Sequence, residues 1–119
     1  MIAIGTDIVE ISRIKSLINE KGSIFLNKIF TLKEIEYCNS NSSPSVHFSG
    51  KFAAKESIQK ALLSKNLIDF ISLKNIEILN REDKAPKVIL HDKIDEKVSC
   101  NVSISHDGGY AVSFVMVDY

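Results

Sequence analysis

The apolar positions change period along the chain. Ile11, Ile14, Leu17 and Ile18 recur at helical spacing, where side chains three and four apart share one face. Gly22 supplies a stop, because glycine readily closes a helix in a left-handed conformation. Ser23 can cap a second short helix containing Phe25, Leu26 and Ile29. Thr31-Leu32-Lys33-Glu34 has the Thr-x-x-Glu form of a capping box, which predicts another helical turn or two. The polar run Asn39-Ser40-Asn41-Ser42-Ser43-Pro44 cannot pack a core and reads as a loop. Phe48, Phe52, Ala53, Ala54, Ile58, Ala61 and Leu62 then mark the longest helix, over about residues 45–63.

Beyond that helix the period shortens. Residues 73–79 and 87–91 read as strands joined by a turn-rich stretch over 80–86. Val98, Cys100, Val102 and Ile104 alternate strictly with Ser99, Asn101, Ser103 and Ser105, the mark of a half-buried strand. His106-Asp107-Gly108-Gly109 reads as a turn, and residues 110–117 as a strand returning beside the first. At the other end, apolar residues 2–4 before Gly5 predict a short strand ending in a tight turn, with a helix from near Val9. Helices concentrate in the first half and strands in the second. The expected class is α+β, an antiparallel sheet packed against helices. Exposed sheet edges need covering, and self-association is one common solution.

Length and composition narrow this further. A chain of 119 residues fits one domain, residues 1–119. No run of 18 apolar residues is present, so no membrane span is expected. The segment Met1 to Asp7 lacks a basic start and does not read as a signal peptide. Cys38 and Cys100 form no Cys-x-x-Cys unit, so neither a disulfide scaffold nor a zinc site is expected, and a reduced, cytoplasmic setting is. Cys100 lies on the apolar side of its alternation and should pack as a small hydrophobe. Fifteen basic and fifteen acidic residues cancel, which argues against a general nucleic-acid binder. Charge is nevertheless uneven. From Glu10 to Lys33 the bases Arg13, Lys15, Lys21, Lys28 and Lys33 outnumber Glu10 and Glu20, leaving +3. Such a stretch is either a solvated face or a docking surface for an acidic partner.

Three groups could carry chemistry. Glu56 and Lys60 are four apart and share a helix face, where they could simply form a surface ion pair. Phe48 and Phe52 begin the same row, so that face starts apolar and ends charged, as at the edge of a cleft. Asp7 follows the first strand; it is either an N-cap or a ligand for a hard cation. Magnesium needs only one or two carboxylates, and Asp7 with Glu56 would suffice. Ser105-His106 stands at a strand end, where a phosphate-binding or proton-handling group is often presented. The chain contains no Walker loop, Gly-x-Gly-x-x-Gly or nucleophile elbow.

Together these residues resemble the bacterial holo-acyl-carrier-protein synthase family of 4'-phosphopantetheinyl transferases, over nearly the whole chain. The resemblance is carried by Gly5-Thr6-Asp7-Ile8-Val9-Glu10-Ile11 with Arg13-Ile14, Phe30-Thr31 with Glu34, Phe52-Ala53-Ala54-Lys55-Glu56 followed by Lys60-Ala61, and Ile104-Ser105-His106 followed by Tyr110-Ala111. It implies the 4'-phosphopantetheinyl transferase fold and transfer of 4'-phosphopantetheine from coenzyme A to a serine of acyl carrier protein, releasing adenosine 3',5'-bisphosphate. It implies magnesium at Asp7 and Glu56. It implies catalytic roles for Glu56, Lys60 and His106, and coenzyme A contacts from Lys51, Lys55, Lys60, Pro86, Ser105 and His106. Glu56 is the first candidate for the base and His106 the second. The resemblance also implies carrier docking along the helix of Arg13, with Lys21 and Lys28, and a homotrimer whose active sites lie between subunits. Three departures stand out. Lys51 occupies a position where Arg is common, keeping the charge but losing the bidentate fork. Ser57 replaces the usual Ala. Asp83-Lys84-Ala85-Pro86 replaces Asn-Gly-Lys-Pro. Other readings of the same residues are a non-catalytic coenzyme A or nucleotide-binding module and a magnesium-dependent phosphohydrolase.

Overall fold

The computed structural model describes residues 1–83 and 85–119; the Lys84 position of the variant turn lies outside the described residues. In chain order the elements are β1 (Ile2–Glu10), α1 (Ile11–Lys21), α2 (Ser23–Ile29), α3 (Leu32–Asn39) and α4 (Pro44–Ser64). A 3-10 turn (Leu73–Asn75), β2 (Ile76–Asn80), β3 (Pro86–Leu90), β4 (Ser99–Asp107) and β5 (Tyr110–Asp118) complete it. The class is α+β, as expected. The strands form two antiparallel sheets rather than one, in the orders β1-β5-β4 and β2-β3.

Helix boundaries follow local chemistry closely. Gly22 closes α1 with φ 54° and accepts no side-chain substitute for that role easily. Thr31 and Glu34 make the reciprocal capping box, so α3 starts where its sequence says it should. Two consecutive glycines with positive φ, Gly108 and Gly109, make the two-residue hairpin turn between β4 and β5. The strand therefore runs on through His106 and Asp107, which pair with Ala111 and Tyr110.

β1 differs from the expectation. It continues past Gly5 to Glu10, paired along its whole length with β5, so Asp7 is a strand residue opposite Ser113 and not a helix cap. Gly5 is there because α4 lies against it. A Cβ at Gly5 would sit 2.1 Å from the Ser57 carbonyl oxygen, a contact only glycine avoids.

α4 crosses the inner face of the three-stranded sheet on small residues. Gly50 lies over Ile104 of β4, the Ala53 carbonyl accepts a 2.6 Å bond from Ser113 Oγ of β5, and Ser57 meets Gly5 of β1. Ala54, Ile58, Ala61 and Leu62 extend this contact into a core with Ile71, Ile76, Ile78, Val115 and Val117. A second core joins α1, α3 and α4 around Ile14, Phe30, Cys38, Phe48 and Phe52. Both cysteines are free, and burial pushes the Cys38 thiol up to about 12 and Cys100 to about 11, so neither is a ready thiolate. Among the described residues no helix is long and apolar enough to cross a membrane.

Candidate functional site

A helix turns about 100° per residue, so residues four apart share a flank. With its small residues against the sheet, α4 sends Glu56 and Lys60 down one flank and Lys51 and Lys55 down the other.

On the first flank, Lys60 Nζ lies 3.0 Å from Asp7 Oδ1 and 3.3 Å from the Thr6 carbonyl oxygen. The ion pair at Lys60 is thus made across to β1 and not to Glu56 on its own helix. The Lys60 side chain remains 57% exposed while Asp7 is 15% exposed, so the ammonium is the solvent-facing partner. Partial burial, and next the negative charge of Asp7, raise the Glu56 carboxyl above its ordinary range; Lys60 and then Arg13 act in the opposite direction. Two carboxylates that repel one another at a half-buried position gain from a cation between them. No group of three or more His, Cys, Asp or Glu side chains able to hold a metal occurs among the described residues. A donor set of two carboxylates fits magnesium, which keeps waters and takes phosphate oxygens, and does not fit zinc.

On the second flank, Lys51 and Lys55 have different fates. Lys55 is fully buried, and its ammonium donates to Glu34 Oε1 at 2.7 Å and to the carbonyls of Leu73 and Ile76 at 3.0 and 2.6 Å. All three of its N–H groups are thereby engaged inside the fold. Within the chain this side chain ties α4 to α3 and β2, which is a structural role beside the coenzyme contact expected of Lys55. Lys51 donates to the Ile78 carbonyl at 2.6 Å and to Asn80 Oδ1 at 2.7 Å, and lies 4.8 Å from the centre of the Tyr37 ring. It also borders a cavity of about 280 Å³ that Pro86 and His106 share, with Tyr37, His47 and Asn80.

Of the residues singled out from sequence, Asp7, Glu56, Lys60 and Arg13 therefore gather at the β1 side of α4. Lys51, Pro86 and His106 gather at the cavity. Ser105 joins neither within one chain. Strand alternation turns it to the outward sheet face beside Val112, whereas Ile104 and His106 border the cavity. Lys21 and Lys28 are exposed at the last turns of α1 and α2. Sequence reasoning passed over His47 and Tyr37. The signal for His47 was its four-residue spacing from Lys51, which puts both on one flank.

Residues 3–115 match the 4'-phosphopantetheinyl transferase superfamily. A holo-[acyl-carrier-protein] synthase of Chlorobaculum parvum is 44% identical, the match covering 96% of each chain. One from a Thermoanaerobacter species is 46% identical over 92% of this chain and 82% of its own. Among solved structures, an ACPS–CoA complex from Chronobacterium ammoniagenes superposes with a TM-score of 0.85 at 26% identity, over 100% of this chain and 98% of that one. The Helicobacter pylori holo-[acyl-carrier-protein] synthase in complex with coenzyme A gives 0.78 at 30% identity, over 97% and 99%. With the family match running over residues 3–115 and relatives 44% and 46% identical over almost the whole chain, the chain belongs to the 4'-phosphopantetheinyl transferase superfamily.

Proposed function

We propose that this chain transfers 4'-phosphopantetheine from coenzyme A to a serine of apo-acyl carrier protein, releasing adenosine 3',5'-bisphosphate, as a single domain over residues 1–119. The observation that carries the proposal is the convergence of Asp7, Glu56 and Lys60 across β1 and α4, with a separate cavity bordered by Lys51 and His106 on the other flank of the same helix. In the reaction, the serine oxygen bonds to the phosphorus that carries the pantetheine arm. The bond from that phosphorus to the bridging oxygen breaks, and the bisphosphate leaves with the electron pair. Such transfers need positioning and charge neutralisation more than covalent catalysis. Asp7 and Glu56 would hold magnesium, which when bound supplies positive charge at the pyrophosphate. Lys60, more than half exposed, reaches the phosphate oxygens as negative charge develops on them. Glu56 is the first candidate for the group that takes the serine proton, and His106 is the alternative.

Arg13, Lys21 and Lys28 form the docking side for an acidic carrier protein, and Arg13 is near enough to Glu56 to act on its charge. The setting proposed is cytoplasmic, and the pathway is fatty acid biosynthesis. The test is mass spectrometry of an apo-carrier protein incubated with this protein, coenzyme A and magnesium. A gain of one phosphopantetheine is expected. Release of phosphopantetheine into water without any carrier, or tight coenzyme A binding with no transfer to several bacterial carriers, would overturn the reading.

We further propose a homotrimer with active sites between subunits. Ile2, Ile4 and Ile8 of β1 and Val112, Phe114 and Met116 of β5 stand on the outward sheet face, with Ile4 61% and Ile8 63% exposed. One continuous apolar sheet face of this kind needs a cover. Self-association would also bring Ser105, on that same face, to a subunit junction. Phe114→Lys is expected to shift the sedimenting species from trimer to monomer and to reduce transfer. A wild-type protein that sediments as a monomer would sink the trimer.

A further inference from the structure

The cavity beside Lys51 has a chemical bias beyond the residues that first pointed to it. Its polar border is formed by Tyr37, His47, Lys51, Asn80 and His106, and no carboxylate borders it among the described residues. His47 sits one turn before Lys51 on α4, half-buried, with its ring edge-on to Tyr37 at 5.8 Å between centres. Tyr37 therefore packs against the His47 ring and, 4.8 Å away on its face, the Lys51 ammonium. Three groups that can carry positive charge converge from α4 and β4 with nothing acidic between them, an arrangement that favours an anion.

We propose that His47 is a ligand-contacting residue that, as an imidazolium beside Lys51 and His106, recognises a terminal phosphate monoester on the nucleotide end of the substrate. This rests on the coenzyme A reading above and adds to it a residue that sets affinity and its pH dependence. The titratable groups facing His47 are Tyr37 from α3, Lys51 from α4 and His106 from β4; β2 and β3 contribute the uncharged Asn80 and Pro86. Burial, then Lys51, then His106 hold its ring below the ordinary histidine range in the free protein. A phosphate dianion placed there reverses the sign of the local field, so the bound ring is protonated to higher pH than the free one. Binding then takes up a proton, and affinity falls as pH rises through the bound value. The phosphate's own second ionisation near pH ~6 acts in the opposite direction. A variant without the imidazole supplies that background.

The experiment is calorimetric titration of the full-length protein with coenzyme A and with dephospho-coenzyme A, which lacks the terminal monoester, between about pH 6 and pH 8. Buffers of different ionisation enthalpy count the protons taken up. Wild type is expected to prefer coenzyme A, with a preference that grows as pH falls and with net proton uptake. His47→Asn should lower coenzyme A affinity by about tenfold at the acid end and leave dephospho-coenzyme A binding unchanged. His47→Arg should hold the affinity and flatten its pH dependence. A wild-type ratio of the two affinities in His47→Asn at both ends of the range would overturn the inference and leave the coenzyme reading standing. Failure of wild type to bind either ligand would bring down both.

Discussion

Asp7→Ala or Glu56→Ala is expected to lower carrier-protein transfer by roughly 100- to 1000-fold, the usual effect of removing one preorganised electrostatic group. The fold should survive both changes. Asp7 stands on a strand paired on both sides of its own position by backbone bonds that need no side chain. Glu56 is raised above its ordinary range by burial and by Asp7, and the sign of that shift fixes what its removal does. A carboxyl whose folded-state pKa is raised costs stability once the pH exceeds its unfolded value, and costs nothing below it. At neutral pH Glu56→Gln should leave the melting temperature unchanged or slightly higher, and the effect should vanish in acid. A functional acid held at some expense to the fold behaves this way. Because both carboxylates would serve one cation, the Asp7→Ala/Glu56→Ala double variant should be little worse than either single one. The checks are initial transfer rates at saturating magnesium and thermal unfolding on the same samples. Wild-type rates in both single variants would remove the two carboxylates from the chemistry. Loss of activity together with a fall in Tm above about 8 °C, more than 2 kcal/mol for a chain of this size, would make their role structural.

Much of the fold was legible because local chemistry decided it. The Thr31–Glu34 capping box, the Gly22 stop and the alternation from Val98 to Ile104 each name a backbone state without needing a distant partner. The misreadings share a cause. Gly5 looks like turn punctuation, but the glycine answers to the Ser57 carbonyl oxygen, 52 positions away along the chain. The burial of Lys51 and Lys55 has no local mark either, because it depends on β2 aiming carbonyl oxygens at them. Glu56 and Lys60 look paired on their helix, but Asp7 claims the ammonium from β1. In the site, the residue types and their order were readable. Which of them meet was not, since a helix flank has a partner only once the sheet is in place. The second sheet was missed because a hairpin of two five-residue strands, β2-β3, carries no mark of whether it extends the main sheet or stands apart from it.

Lys55 carries the largest expected effect on stability. Both it and Glu34 are completely buried, 2.7 Å apart. Glu34 is committed further: its Oε1 also accepts the Thr31 amide at 2.8 Å and its Oε2 the Ile78 amide at 2.8 Å. The acid thus joins the start of α3 to β2, and the lysine joins α4 to both. The Lys55 ammonium also lies 5.4 Å from the centre of the Phe30 ring, at the middle of the second core. Lys55→Met removes the cation and leaves Glu34 charged in the interior, and it takes away the lysine's bonds to the Leu73 and Ile76 carbonyls. Breaking one side of a buried pair in this way costs about 3–5 kcal/mol, against a total of about 5–15 kcal/mol for a domain. Denaturant unfolding should show that loss, and the protein should be recovered in poor yield at growth temperature. Glu34→Gln keeps most of the amide bonds and should cost less. Combined with Lys55→Met, it should restore part of the loss, because no uncompensated charge then remains inside. A Lys55→Met protein within about 1 kcal/mol of wild type would mean that the pair contributes only the median of an exposed salt bridge. In that case something other than this pair would have to hold α4, and with it Glu56, in register against β1.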